Sequence, residues 1–96
     1  MKQAEVLNIL HSFKEKNSSN YQFKKIGIFG SYARDEASNN SDIDVVVELL
    51  KPDLFILGDI KTDLEELFGK HIDIVRLRNR MNKFLKLRIE KEAIYV

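Results

Sequence analysis

The stretch from Ile26 to Leu49, IGIFGSYARDEASNNSDIDVVVEL, constrains this chain more than any other. It reads as a short apolar strand, then Gly30-Ser31 opening a turn of helix, a polar loop, and a second strand carrying Asp42 and Asp44. Gly30 lets the chain bend sharply and lets a ligand come close to the backbone. Unpaired N–H groups at a helix start, together with the positive end of its dipole, suit a phosphate. Side chains alternate along a strand, so Asp42 and Asp44 share a face, roughly 7 Å apart. Two carboxylates on one face repel unless something positive lies between them. Mg²⁺, which takes carboxylate oxygens together with substrate phosphates, meets that need. A phosphate cradle beside metal-binding acids implies phosphoryl or nucleotidyl transfer.

The rest of the chain supplies a scaffold for this stretch. Residues 2–16 predict an amphipathic helix, with Val6, Ile9, Leu10 and Phe13 at helical spacing and the polar cluster 17–20 ending it. Residues 24–29 predict the first strand, in which Gly27 signals a close approach, assigned here to the nucleotide. Ser31 to about Glu36 predicts a short helix, with Ser31 as both N-cap and phosphate contact. Arg34 has two readings, a phosphate contact and a brace for the loop that follows. Residues 43–49 predict the central strand, with Ile43, Val45 and Val47 on the buried face. Pro52 predicts the first turn of the next helix, whose core stripe is Leu57, Ile60, Leu64, Leu67 and Phe68, and Gly69 its end. Residues 71–77 predict a third strand with Ile72 and Ile74 inward. Asp73 lies between them on the opposite face, either as an edge-strand charge or as a third metal carboxylate. Residues 79–91 predict a basic helix anchored by Phe84, Leu85 and Ile89, and residues 93–96 a short edge strand. The expected fold is α/β, a small mixed sheet with helices mainly on one face and the site on the other, in a single domain over residues 1–96.

Composition narrows the function classes. A net charge of +1 argues against nucleic-acid binding by bulk electrostatics. The charge is uneven, however: between Arg76 and Lys91 seven basic residues face one acid, Glu90. That run reads equally as a solvated helix face and as a positive rim for phosphates or an acidic partner. With no cysteine, thiolate zinc sites and disulfides are excluded, which fits a reducing cytosol. His11 and His71 read as surface or edge residues. No stretch approaches the length of a membrane span, and a cytoplasmic location is expected.

Gly30-Ser31, ten intervening residues, then Asp42-Ile43-Asp44 resembles the G-S-x10-D-x-D motif of the DNA polymerase β-like nucleotidyltransferase superfamily. The wording GSYAR…SDIDVVVE is most similar to its small stand-alone members, the minimal nucleotidyltransferases, many of them antitoxins paired with HEPN-domain toxins. The resemblance covers about Lys25 to the end. It implies two Mg²⁺ ions held by Asp42, Asp44 and a third carboxylate on the strand after the long helix, which is Asp73. It also implies Gly30 and Ser31 as nucleotide contacts, ATP as donor, and a tyrosine of a HEPN toxin as the acceptor that is adenylylated and silenced. Homo-oligomerisation is compatible with this reading. One departure is Asp35, where the family usually has glycine. Two other functions stand beside this one. A non-catalytic antitoxin could neutralise by occlusion, which needs none of the three acids. A nucleotidyltransferase could act on a small molecule or an RNA end, for which a chain this small has no accessory domain.

Overall fold

Runs of alternating β-branched residues form the strands, and Leu- and Glu-rich stretches form the two long helices around them. The computed structural model describes residues 1–96. The elements in order are α1 (Gln3–Lys16), α2 (Ser18–Tyr21), β1 (Phe23–Phe29), α3 (Gly30–Ala33), β2 (Ile43–Leu49), α4 (Leu54–Phe68), β3 (Ile72–Arg76), α5 (Lys83–Glu92) and β4 (Ile94–Tyr95). They form a four-stranded mixed sheet of order β3-β2-β1-β4. β1 and β2 run antiparallel, with Phe29 opposite Asp44 and Lys25 opposite Glu48. β4 adds antiparallel to the far side of β1. β3 is parallel to β2 with Asp73 beside Asp44, and α4 makes the crossover that a parallel pair requires.

One face of the sheet carries most of the core. Val6, Leu10 and Phe13 of α1 and Ile60, Leu64 and Phe68 of α4 pack with Ile26, Ile28, Ile43, Val45, Val47 and Ile72 of the strands. Burying an aliphatic side chain of this kind contributes about 1.5–3 kcal/mol each. The opposite face holds a smaller cluster, Phe29, Val46 and Ile89, flanked by Val75, Leu77, Met81, Leu85 and Ala93. Helix α5 therefore lies across the site face, covers Val46 and leaves that face only partly open. No helix is long and apolar enough to cross a membrane.

The ends of the helices follow local chemistry. The Asp53 carboxylate accepts from the Phe55 N–H at 2.8 Å and caps α4, so the helix starts at Leu54 and not at Pro52. Gly69, with φ +62°, ends it. The Asn82 side chain accepts from the Leu85 N–H at 3.0 Å, which delays α5 to Lys83. The polar cluster after α1 forms one further turn, α2, instead of only a break. Two expected core residues point to water: Leu67 is 52% exposed and Phe84 82%. Each sits next to a residue that takes the inward position, Phe68 and Leu85, because successive helical side chains diverge by about 100°. Gly27 is also reassigned. A Cβ there would collide with the Ile94 carbonyl, so the close approach is that of the β4 backbone and not of a nucleotide.

Candidate active site

The carboxylates converge at one end of the site face. Asp44 enters from β2, and Asp73 sits beside it in register on β3. Asp42 lies just before β2, with an oxygen within 4.8 Å of its counterparts on Asp73 and His71. His71 Nδ1 is 3.4 Å from Asp42 Oδ2 and 3.7 Å from Asp73 Oδ1. The sequence reading left His71 outside the site. Its position two residues before Asp73, on the same side of an edge strand, is the signal that could have found it. Asp42, His71 and Asp73 are open to solvent, whereas Asp44 is half-buried. Burial, then the charges of Asp73 and Asp42, push the Asp44 carboxyl above its ordinary range, and Arg88 opposes them.

Gly30 meets this cluster directly. It adopts φ +73°, a conformation that L side chains rarely take, and a Cβ there would collide with the Asp44 carboxylate. The residue is thus fixed as glycine twice, by its backbone and by its neighbour. Phe29 precedes α3 as the N-terminal flanking residue, and no side chain caps the helix, so Ser31 lies inside α3 and is not its N-cap. The Gln3 side chain donates to the carbonyls of Tyr32 and Ala33, at 3.1 and 3.0 Å, and closes the other end of the turn.

The N–H of Gly30 is taken. It donates to Glu92 Oε2 at 3.0 Å, and the other oxygen of Glu92 accepts from the Arg34 guanidinium at 3.0 Å. Arg34 also donates to Glu36 at 3.2 Å. Two carboxylates hold the arginine at the loop. Burial alone would raise the Glu92 carboxyl, but the Gly30 N–H, Arg34 and Arg88 together hold it below its usual range. Asp35 takes φ +58° and is exposed; it holds a left-handed backbone, one that an Asp tolerates better than most residues do.

Part of the basic run lies elsewhere. Arg76, Arg78 and Lys86 line a groove with Lys24, Lys25, Glu48 and Glu90. That groove lies at the end of β2 away from Asp44. Arg88 alone reaches the carboxylates, with its guanidinium 5.7 Å from the Phe29 ring centre and 3.5 Å from Glu92.

A hard divalent cation fits the acids on chemical grounds. The donors are all oxygens apart from His71, they crowd one another, and their repulsion is already visible at Asp44. The arrangement can hold a cation against an anionic ligand beside a glycine turn.

Comparison with known proteins sets this geometry in context. The profile of the family described as "Nucleotidyltransferase domain" matches residues 9–96. A Methanocaldococcus jannaschii protein with the provisional name of a protein adenylyltransferase is 37% identical over 94 residues, 97% of this chain and 96% of the relative. The protein adenylyltransferase MntA of Thermococcus cleftensis is 30% identical over 93 residues, 96% of this chain and 93% of the relative. A solved structure provisionally described as a minimal nucleotidyltransferase superposes with a TM-score of 0.78 at 29% identity, covering 98% of this chain and 95% of its own. At 21% identity, a chain from the complex of a tri-AMPylated Shewanella oneidensis HEPN toxin with its MNT antitoxin shares the fold, with a TM-score of 0.66 over 94% of this chain and 69% of its own.

Proposed function

From the premise that the chain belongs to the nucleotidyltransferase domain family, we propose that it transfers AMP from ATP to a tyrosine hydroxyl of a HEPN-family toxin and so acts as that toxin's antitoxin. The observation that carries this reading is the convergence of Asp42, Asp44 and Asp73 beside the Gly30 turn. The names of the relatives favour protein as acceptor, and the Shewanella complex favours a HEPN toxin as partner.

Asp42 and Asp44 would hold one Mg²⁺ for the triphosphate and share a second, whose site Asp73 would complete. Bound there, the ions would offset charge on the triphosphate and on the entering and leaving oxygens. The acceptor oxygen bonds to the α-phosphorus, the bond from that phosphorus to the bridging oxygen breaks, and pyrophosphate leaves in line. Asp73, exposed at the edge of the sheet, would help to take the hydroxyl proton. The Gly30–Ser31 turn orients the terminal phosphates. Because the Gly30 N–H is committed to Glu92, the Ser31 hydroxyl and the free N–H groups of the α3 start make that contact. Arg34 acts through the loop it braces and presents its charge to the phosphates from there.

The test is stoichiometric. A small amount of this chain, incubated with excess toxin, ATP and Mg²⁺, should modify most of the toxin, each transfer adding the mass of one AMP in intact mass spectrometry. Asp44→Asn should keep its fold by circular dichroism and lose transfer by about two orders of magnitude or more. Protection that stops at one chain per toxin and needs no ATP would replace this reading with occlusion.

A further inference from the structure

Glu92 lies far outside the motif that marks the site, and its surroundings are unusual. Its side chain is only 16% exposed at the last turn of α5. It joins three groups: the Gly30 N–H at 3.0 Å, Arg34 at 3.0 Å and Arg88 Nε at 3.5 Å. Gly30 consequently sits between two carboxylates, with Asp44 against its Cα and Glu92 on its N–H.

We propose that Glu92 is a positioning residue for nucleotide transfer: its carboxylate ties the last turn of α5 to the phosphate-binding turn and sets the place of that turn beside Asp44. The proposal rests on the reading of Gly30–Ser31 as the phosphate contact. The chemistry of the tie is specific. One oxygen takes the backbone N–H and the other takes the guanidinium, so the residue must be an anion with two acceptors at glutamate length. A glutamine would keep the first contact and turn an NH₂ towards Arg34. An aspartate is one methylene short of spanning both partners. Gly30 has the freest backbone of any residue type, and α3 holds only one turn, so the start of this helix needs an external anchor. Glu92 is that anchor, 62 positions away in sequence. The same contact fixes Arg34, and through it the loop that leads to Asp42.

The experiment measures binding of a non-hydrolysable ATP analogue with Mg²⁺ by calorimetry, and thermal melting by circular dichroism, on wild type, Glu92→Gln and Glu92→Asp. Charged hydrogen bonds of this kind predict that Glu92→Gln binds roughly ten- to thirtyfold more weakly. Its melting temperature should stay within a few degrees of wild type. Glu92→Asp, which keeps the charge, should fall between the two. A purely structural role would lower the melting temperature of the variants and leave the affinity of the folded protein unchanged, and that pattern overturns the proposal. Tighter binding by Glu92→Gln overturns it as well, because Glu92 would then be occupying the phosphate's own place. If wild type fails to bind the analogue, the phosphate reading of Gly30–Ser31 falls and takes this proposal with it. If wild type binds and both variants match it, only the role of Glu92 is lost.

Discussion

The two faces of the sheet are built from the same four strands and differ in almost everything else. On one face, α1 and α4 seal a cluster of 14 buried residues, all aliphatic or aromatic and without charge. On the other, three buried residues, Phe29, Val46 and Ile89, hold α5 in place between a carboxylate cluster and a basic groove. The strands alternate between these roles residue by residue: Val45 belongs to the scaffold, while Asp44 on its left and Val46 on its right face the site side. Stability and chemistry are thus separated by side-chain direction and not by position along the chain. The thin cluster on the site face holds α5 and everything α5 carries, including Glu92.

Substitutions on the two sides should therefore fail differently. Leu64→Ala, in the thick core, should cost about 2–5 kcal/mol in urea or thermal unfolding. The protein that remains folded should bind ATP as wild type does. Ile89→Ala, under α5, should lower stability within the same range and in addition weaken ATP binding by the folded fraction, because the last turn of α5 loses its seat. Equal ATP affinity for the two folded variants would erase the distinction between the faces.

A smaller effect sharpens it from the scaffold side. The Tyr32 hydroxyl is buried without a hydrogen-bond partner and Tyr32 is 1% exposed. Tyr32→Phe should stabilise the fold by about 1 kcal/mol, because the phenol's lost hydration is recovered by no contact. A lower melting temperature would mean that the hydroxyl is satisfied in solution.

The smallest effect is a slope. Burial and the neighbouring acids raise the Asp44 carboxyl, so the folded chain holds that proton more tightly than the unfolded chain does. In chelator, this contribution to stability is full below the ordinary Asp value of about 3.9 and is lost as pH rises through the raised folded value. Asp44→Asn should flatten that part of the melting-temperature profile. A profile identical to wild type would remove the strain assigned to the site face.

Much of this arrangement was legible in the sequence because it is encoded locally. The spacing from Gly30-Ser31 to Asp42 and Asp44, the strand from Ile43 to Leu49 and the glycine end of α4 each rest on residues a few positions apart. The assignment of Asp73 needed the resemblance, since a strand acid alone has two readings; the parallel register then places it beside Asp44. What escaped was set by distant partners. Glu92 reads in sequence as one more acid on a charged helix, and only the packing of α5 brings it to Gly30. His71 has Asp73 two residues further along the chain but gains Asp42 only through strand pairing. The inward and outward choice between Leu67 and Phe68, or Phe84 and Leu85, depends on where the sheet lies under each helix, which no local pattern states.

Gly27 carries a consequence for how this chain can vary. It lies opposite Tyr95, against a backbone that leaves no room for a methyl group. β4 begins two residues after Glu92, so a side chain at position 27 would push outward the segment that directly continues α5. The carboxylate would then withdraw from Gly30, while the core on the other face lost only the flanking contacts of Ile94 and Val96. A screen that scores only soluble expression would pass such a protein. A screen that scores nucleotide binding would reject it, and the position responsible would lie two strand residues short of anything that touches the ligand.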